Sequence, residues 1–251
     1  MKFLLCLFIL FPAYAFSAEA SKIRFGINAF MPPYVIVEGE SFSGISVDIL
    51  KSVFKKANLP YKLEALSNRR LNELFIGGDF TGVMYLSSGS VEDIPVFFGP
   101  ELIPFKNGFM CIEKKYCEQA SVLGNSLRMA GFQNASKVMG IKFKKLTDSM
   151  ENYSEVTNQK EQIMGLFSKR FDVVFGDDRV LRYHIDHIAK SSHVYSKKVR
   201  ETKFIHRPYS HQTPRPVAFA NKGERDLFFK AYKELKASGE IERIIERYLN
   251  D

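Results

Sequence analysis

Cysteine is scarce, with three in a chain of 251 residues. Long hydrophobic runs are equally scarce: beyond the first residues no segment is apolar enough to span a bilayer. The formal charge of +8 is not gathered into a basic block. The pairs Lys55 and Lys56, Lys144 and Lys145, and Lys197 and Lys198 are scattered, and without a concentrated patch carrying interleaved aromatics a nucleic-acid partner is not expected. Signatures of catalysis are missing too. There is no Walker-type phosphate loop, no Gly-x-Ser-x-Gly elbow and no His-Glu-x-x-His pair. His184 and His187 stand one helical turn apart but have no Cys or carboxylate at a ligand spacing, so neither a metal nor any other cofactor is expected. No short period repeats along the chain, which excludes a solenoid.

What is present begins with Met1 and Lys2, an apolar stretch from Phe3 to Phe11, and the small-residue triplet Ala13-Tyr14-Ala15. That order is a secretory signal peptide, and its apolar run is well short of the roughly 18 to 20 residues of a spanning helix. Cleavage is expected within residues 1–18 or just beyond, since Ala18-Glu19-Ala20 offers a second site. Export to the periplasm follows. Loss of Lys2 lowers the formal charge from +8 to +7, a surface mildly attractive to anions. Loss of Cys6 leaves Cys111 and Cys117 as an even pair in an oxidising compartment, where a disulfide is expected provided the chain turns back between them.

The mature chain alternates strand and helix. Ile23, Phe25 and Ile27 alternate with other residues as in a strand, ending at the turn-prone Met31-Pro32-Pro33-Tyr34. Ile45, Ile49, Val53 and Ala57 form a helical stripe. A strand is expected over 61–66, a helix over 68–76 and a strand over 82–86, running into the serine-rich loop 87–90. The pattern resumes with a strand at 127–131, a helix at 134–139, a strand at 141–145, a helix at 158–168, a strand at 171–175 and a helix opened by Asp177. This is the pattern of an α/β fold with largely parallel sheets. The apolar stretches 105–112 and 216–220 read as two crossings between two such halves, and two helices close the chain.

Four segments carry a resemblance to the extracellular solute-binding proteins that include the polar amino-acid receptors of ABC transporters. They are Ile23-Arg24-Phe25-Gly26-Ile27 with its Met31-Pro32-Pro33-Tyr34 turn, and Gly44-Ile45-Ser46-Val47-Asp48-Ile49-Leu50, in which Ser46 replaces the family's first acid. The others are Arg170-Phe171-Asp172-Val173-Val174-Phe175-Gly176-Asp177 and the tail from Val217 to Tyr248. The resemblance implies a two-lobed periplasmic-binding-protein-like fold, two α/β domains joined by two hinge strands, with 22–106 plus 219–251 as lobe 1 and 107–218 as lobe 2. It implies a monomer that holds a small polar solute between the lobes and passes it to an inner-membrane ABC permease or reports it to a membrane sensor. A dehydratase-like enzyme on the same scaffold, using Asp177 with Glu92 or Asp93, is the third alternative; the reading preferred is that the chain is no enzyme.

Asp177 matches the family's ligand-facing aspartate, which accepts from an α-ammonium; as a plain residue it also reads as a helix cap, with Asp178 as the other capping candidate. Where relatives carry a Thr and then an Arg for the ligand carboxylate, this chain has Ser87-Ser88-Gly89-Ser90-Val91-Glu92-Asp93. Loss of such a contact costs about 2–5 kcal/mol in a desolvated cleft, so an ordinary α-amino acid is not favoured. Arg69 or Arg70 could supply the cation, or both are solvated first-turn residues. Ser87 and Ser88 could be neutral donors to an amine or a hydroxyl, or a flexible turn. Asn28, Phe30, Met31 and Tyr34 are expected to line the first-lobe wall, with Tyr34 alternatively in the core. Asn134 and Ser136 are donors or helix caps.

Overall fold

The computed structural model describes residues 23–29, 31–85, 94–191, 195–210 and 214–249; the expected signal segment, Phe30, Ser87, Ser88, Glu92 and Asp93 lie outside them. Twelve strands and ten helices follow in chain order within that range. The first half contains β1 (Ile23–Asn28), β2 (Ile36–Glu38), β3 (Ser41–Ser43), α1 (Ile45–Lys56), β4 (Tyr61–Leu66), α2 (Asn68–Ile76), β5 (Gly82–Val83) and β6 (Phe97–Phe98). Then come β7 (Asn107–Cys111), α3 (Lys114–Gln119), β8 (Met129–Phe132), α4 (Ala135–Val138), α5 (Ile141–Asp148), β9 (Tyr153–Val156), α6 (Lys160–Phe167), β10 (Val173–Asp177) and α7 (Asp178–Ser191). The chain ends with α8 (Ser196–Glu201), β11 (Ile205–Pro208), β12 (Ala218–Phe219), α9 (Lys222–Ala237) and α10 (Glu240–Leu249).

Two five-stranded sheets result, ordered β4-β1-β5-β12-β6 and β11-β7-β10-β8-β9. In the first, β1 is parallel to β4 and β5, while β12 is antiparallel to β5 and β6. In the second, β8 is parallel to β9 and β10, while β7 is antiparallel to β10 and β11. The mixed direction has a topological cause. The parallel strands of each lobe end at the gap between the lobes, so a chain arriving from the other lobe enters at that edge and must run the opposite way.

This corrects the expected crossings. Residues 107–111 are a strand inside the second sheet and Ala218 and Phe219 a strand inside the first, so the connecting paths are the stretches before them. The expected strand over 141–145 is instead the start of α5. Gly140, at φ +82°, turns the chain into a helix whose Phe143, Leu146 and Thr147 are buried while Ile141 is exposed. That is a spacing of three to four, not two.

Both faces of each sheet are covered. Phe25, Ile27, Phe54, Phe219 and Phe228 belong to one core under α1, α9 and α10, while Leu71, Phe75, Phe80 and Val83 fill the opposite face under α2. In the second sheet Phe109, Phe143 and Phe175 lie on one side and Met110, Val174, Leu181 and Ile185 on the other. A strand covered on both faces reads as a continuous apolar run, and all five residues of β7 and of β10 are buried. Among the described residues no helix is long and apolar enough to cross a membrane.

Candidate functional site

The gap between the sheets is reached by the carboxyl ends of β1, β5, β8 and β10 and by the start of β7, the place where open α/β sheets offer ligand sites. Tyr34 sits there because its turn is clamped to the start of α1. Val35 N–H donates to Met31 O at 2.9 Å, Ile45 N–H to Pro33 O at 2.9 Å and Ser46 N–H to Tyr34 O at 3.0 Å. Gly44 permits the approach: at φ +108° a Cβ would lie 2.7 Å from Tyr34 O and 2.8 Å from Pro33 O. The glycine-led segment is thus a support for the turn. Its Ser46 hydroxyl shares a short hydrogen bond with the Tyr85 hydroxyl, and its Asp48 accepts from the Tyr248 hydroxyl of α10 at 2.8 Å.

From that turn Tyr34, fully buried, reaches across to the second lobe. Its hydroxyl donates to Asp177 Oδ1 at 2.8 Å and accepts from Arg179 Nη1 at 3.1 Å. Arg179 Nη1 also donates to Pro104 O at 3.0 Å. Three backbone donors add to this, two from the start of α7 and one from the end of the first crossing. Arg179 N–H and Val180 N–H donate to Oδ1 at 3.0 and 3.2 Å, and Lys106 N–H donates to Oδ2 at 2.5 Å. A carboxylate with four donors is satisfied despite burial. Burial, and next the Asp177 charge, hold the Tyr34 hydroxyl well above the usual tyrosine range, so it stays protonated as the donor.

Aromatic rings surround this contact. The Phe105 ring lies 4.9 Å from Tyr34 and 5.2 Å from Tyr85, centroid to centroid. Arg215 enters from the second crossing, its Cζ 5.0 Å from the Phe105 centroid and 5.3 Å from that of Phe132 at the end of β8. Burial pushes the Arg215 pKa down, with Tyr85, Asp177 and Glu101 opposing; an arginine keeps its charge regardless.

The sequence-expected residues divide as follows. Asn28 and Met31 are buried in lobe 1, Met31 in the same core as Tyr34, and Asp177 faces the gap. Arg69 does not join them: its side chain is 91% exposed and pairs with Glu73 at 3.0 Å, and Arg70 uses the same partner. The α4 N-terminus is capped by Glu155, which accepts from Asn134 N–H at 2.6 Å and Ser136 N–H at 2.8 Å, so neither side chain serves as its cap. Cys111 and Cys117 are joined, with Cα atoms 5.8 Å apart. Among the described residues no group of His, Cys, Asp or Glu could hold a metal ion.

Sequence reasoning missed Arg179, Arg215, Phe105, Phe132 and Tyr85. Only Arg215 carried a local signal, an arginine set between Pro214 and Pro216; the others meet at the gap only once both lobes are folded.

The sequence matches no protein-family model and no curated protein. Solved structures do match. An ancestral arginine-binding protein bound to glutamine is 16% identical at a TM-score of 0.69, covering 92% of this chain and 98% of its own. The substrate-binding protein of an amino-acid ABC transporter is 18% identical at 0.65, covering 92% and 100%. The VFT2 domain of Bordetella pertussis BvgS is 12% identical at 0.66, covering 90% and 92%. Identities this low speak to architecture alone. The chain therefore has the two-lobed periplasmic-binding-protein-like fold, two α/β lobes facing one another across a cleft.

Proposed function

We propose that this chain is a periplasmic solute-binding protein, its jaws formed by 22–106 plus 219–251 and by 107–218, closing on a small polar solute. The observation that carries the reading is the bond from Tyr34 of one lobe to Asp177 and Arg179 of the other. It is a latch made of few polar contacts, the kind of link that a hinge can make and break. Asn28 and Met31 line the first-lobe wall beside it. The fold, which amino-acid-binding proteins share, and the exported leader read from the sequence support the same conclusion. A panel of metabolites tested by thermal unfolding should contain one that raises the melting point, since a ligand at 100 times its Kd stabilises by about 2.7 kcal/mol. No shift with any small solute would count against capture.

The second reading keeps the fold and changes the partner, from an ABC permease to a membrane sensor. It is favoured by a latch built entirely from the chain's own side chains, and by the likeness to a BvgS domain. A permease that captures the solute-loaded protein in reconstituted vesicles would decide for transport.

A further inference from the structure

The second crossing delivers a cation to the cleft. Prolines on both sides restrict the backbone of Arg215. Its N–H donates to Glu101 Oε1 at 3.1 Å, and Val217 N–H donates to Pro100 O at 3.1 Å, so the two crossings are tied together at the root of this side chain. The guanidinium then lies against Phe105, part of the lobe 1 core, and Phe132 of lobe 2. Ring contacts engage the faces of a guanidinium and leave its N–H donors around the edge.

Those donors have no partner: among the described residues nothing accepts a hydrogen bond from the Arg215 side chain. A half-buried guanidinium held against two rings with no protein acceptor is poised to take an anion at its exposed edge. Asp177 accepts four bonds, and Glu101 takes the backbone N–H of Arg215 itself with Oε1.

We propose that the solute is a small organic carboxylate whose acid group docks on Arg215 and whose apolar part lies against Phe105 and Phe132, and that an α-ammonium is not among the groups recognised. The second half follows from Asp177, whose Oδ1 already takes three donors, the Tyr34 hydroxyl among them, while Oδ2 takes the Lys106 N–H, so an ammonium would have to compete with the Tyr34 latch for this carboxylate. The inference rests on the solute-binding reading above and narrows it to a ligand class.

Matched pairs differing only at the α-carbon test it by isothermal titration of the full exported chain: phenylpyruvate against phenylalanine, 4-methyl-2-oxopentanoate against leucine, and 2-oxoglutarate against glutamate. At least one oxo acid should bind about 10-fold or more tighter than its amino acid. Arg215→Gln should weaken that acid by about 30-fold or more, as when one partner of a buried charged pair is truncated, and Arg215→Lys should restore part of the loss. The pair comparison on the unaltered protein needs no variant, so misfolding of Arg215→Gln would not shelter the idea. Amino acids binding as tightly as their oxo acids, no binding by any of the acids, or unchanged affinity in folded Arg215→Gln would overturn it. So would a gain of affinity for free arginine in that variant, which would make Arg215 a plug. Capture of an amine or a sugar instead would remove the ligand class and leave solute binding intact.

Discussion

At the scale of single residues, a few charged and polar groups are drawn partly or wholly out of water. Asp177 is buried with four donors, Tyr34 is buried as one of them, and half-buried Arg215 lies against two rings. His184 on α7 shows the same desolvation with a measurable consequence. Burial first, then the neighbouring His187 and Lys160 charges, push it down to about 4 from 6.5. The folded state therefore resists a proton that the unfolded chain accepts, so His184 contributes stability above about pH 6.5 that is lost as the pH falls toward 4. Denaturation measured across that window should show a shallower loss in His184→Gln than in the unaltered protein. His206, also lowered by burial, keeps part of the slope. Equal slopes would mean that His184 is solvated. Little of this was legible in the sequence: Asp177 could be singled out as either a ligand group or a cap, but Tyr34, equally open to a core reading, gave no sign of facing it.

At the scale of elements, periodicity served well where one face of a helix or strand is buried and poorly where the run is short. The stripe of α1 and the alternation of β1 were legible because each spans several periods. The start of α5 was misread because Ile141, Phe143 and the lysines imitate alternation over five residues, and only Leu146 and Thr147 beyond them reveal the helix. The edge strand β11 and the short α3 gave no pattern of their own. They are held by contacts from elsewhere: Arg207 of β11 donates to the carbonyls of Cys117 and Glu118 at 3.2 and 2.9 Å. The Cys111–Cys117 bond ties α3 to β7 across six residues of sequence. Closing so small a loop removes unfolded-state entropy equivalent to about 2 kcal/mol. Replacing both cysteines with alanine should lower unfolding free energy by about that amount in a denaturant titration, and an unchanged midpoint would show that the packing of α3 suffices.

At the scale of the whole molecule, the order of elements announced two lobes, because strand and helix alternate twice with extended connections between. It could not announce how the connections run, since a strand lying in the sheet and one leading to it have the same apolar composition. Nor could it assemble the cleft, whose groups come from the turn after β1, from both crossings and from the ends of β8 and β10. The central physical claim is that the lobes are held together by the Tyr34 hydroxyl between Asp177 and Arg179. Spin labels at the exposed Ile76 of α2 and Ile141 of α5, read by double electron–electron resonance, measure that directly. A single narrow distance is expected in the otherwise unaltered protein, and a broader distribution shifted to longer distances in Tyr34→Phe. Identical distributions in the two proteins would contradict the latch.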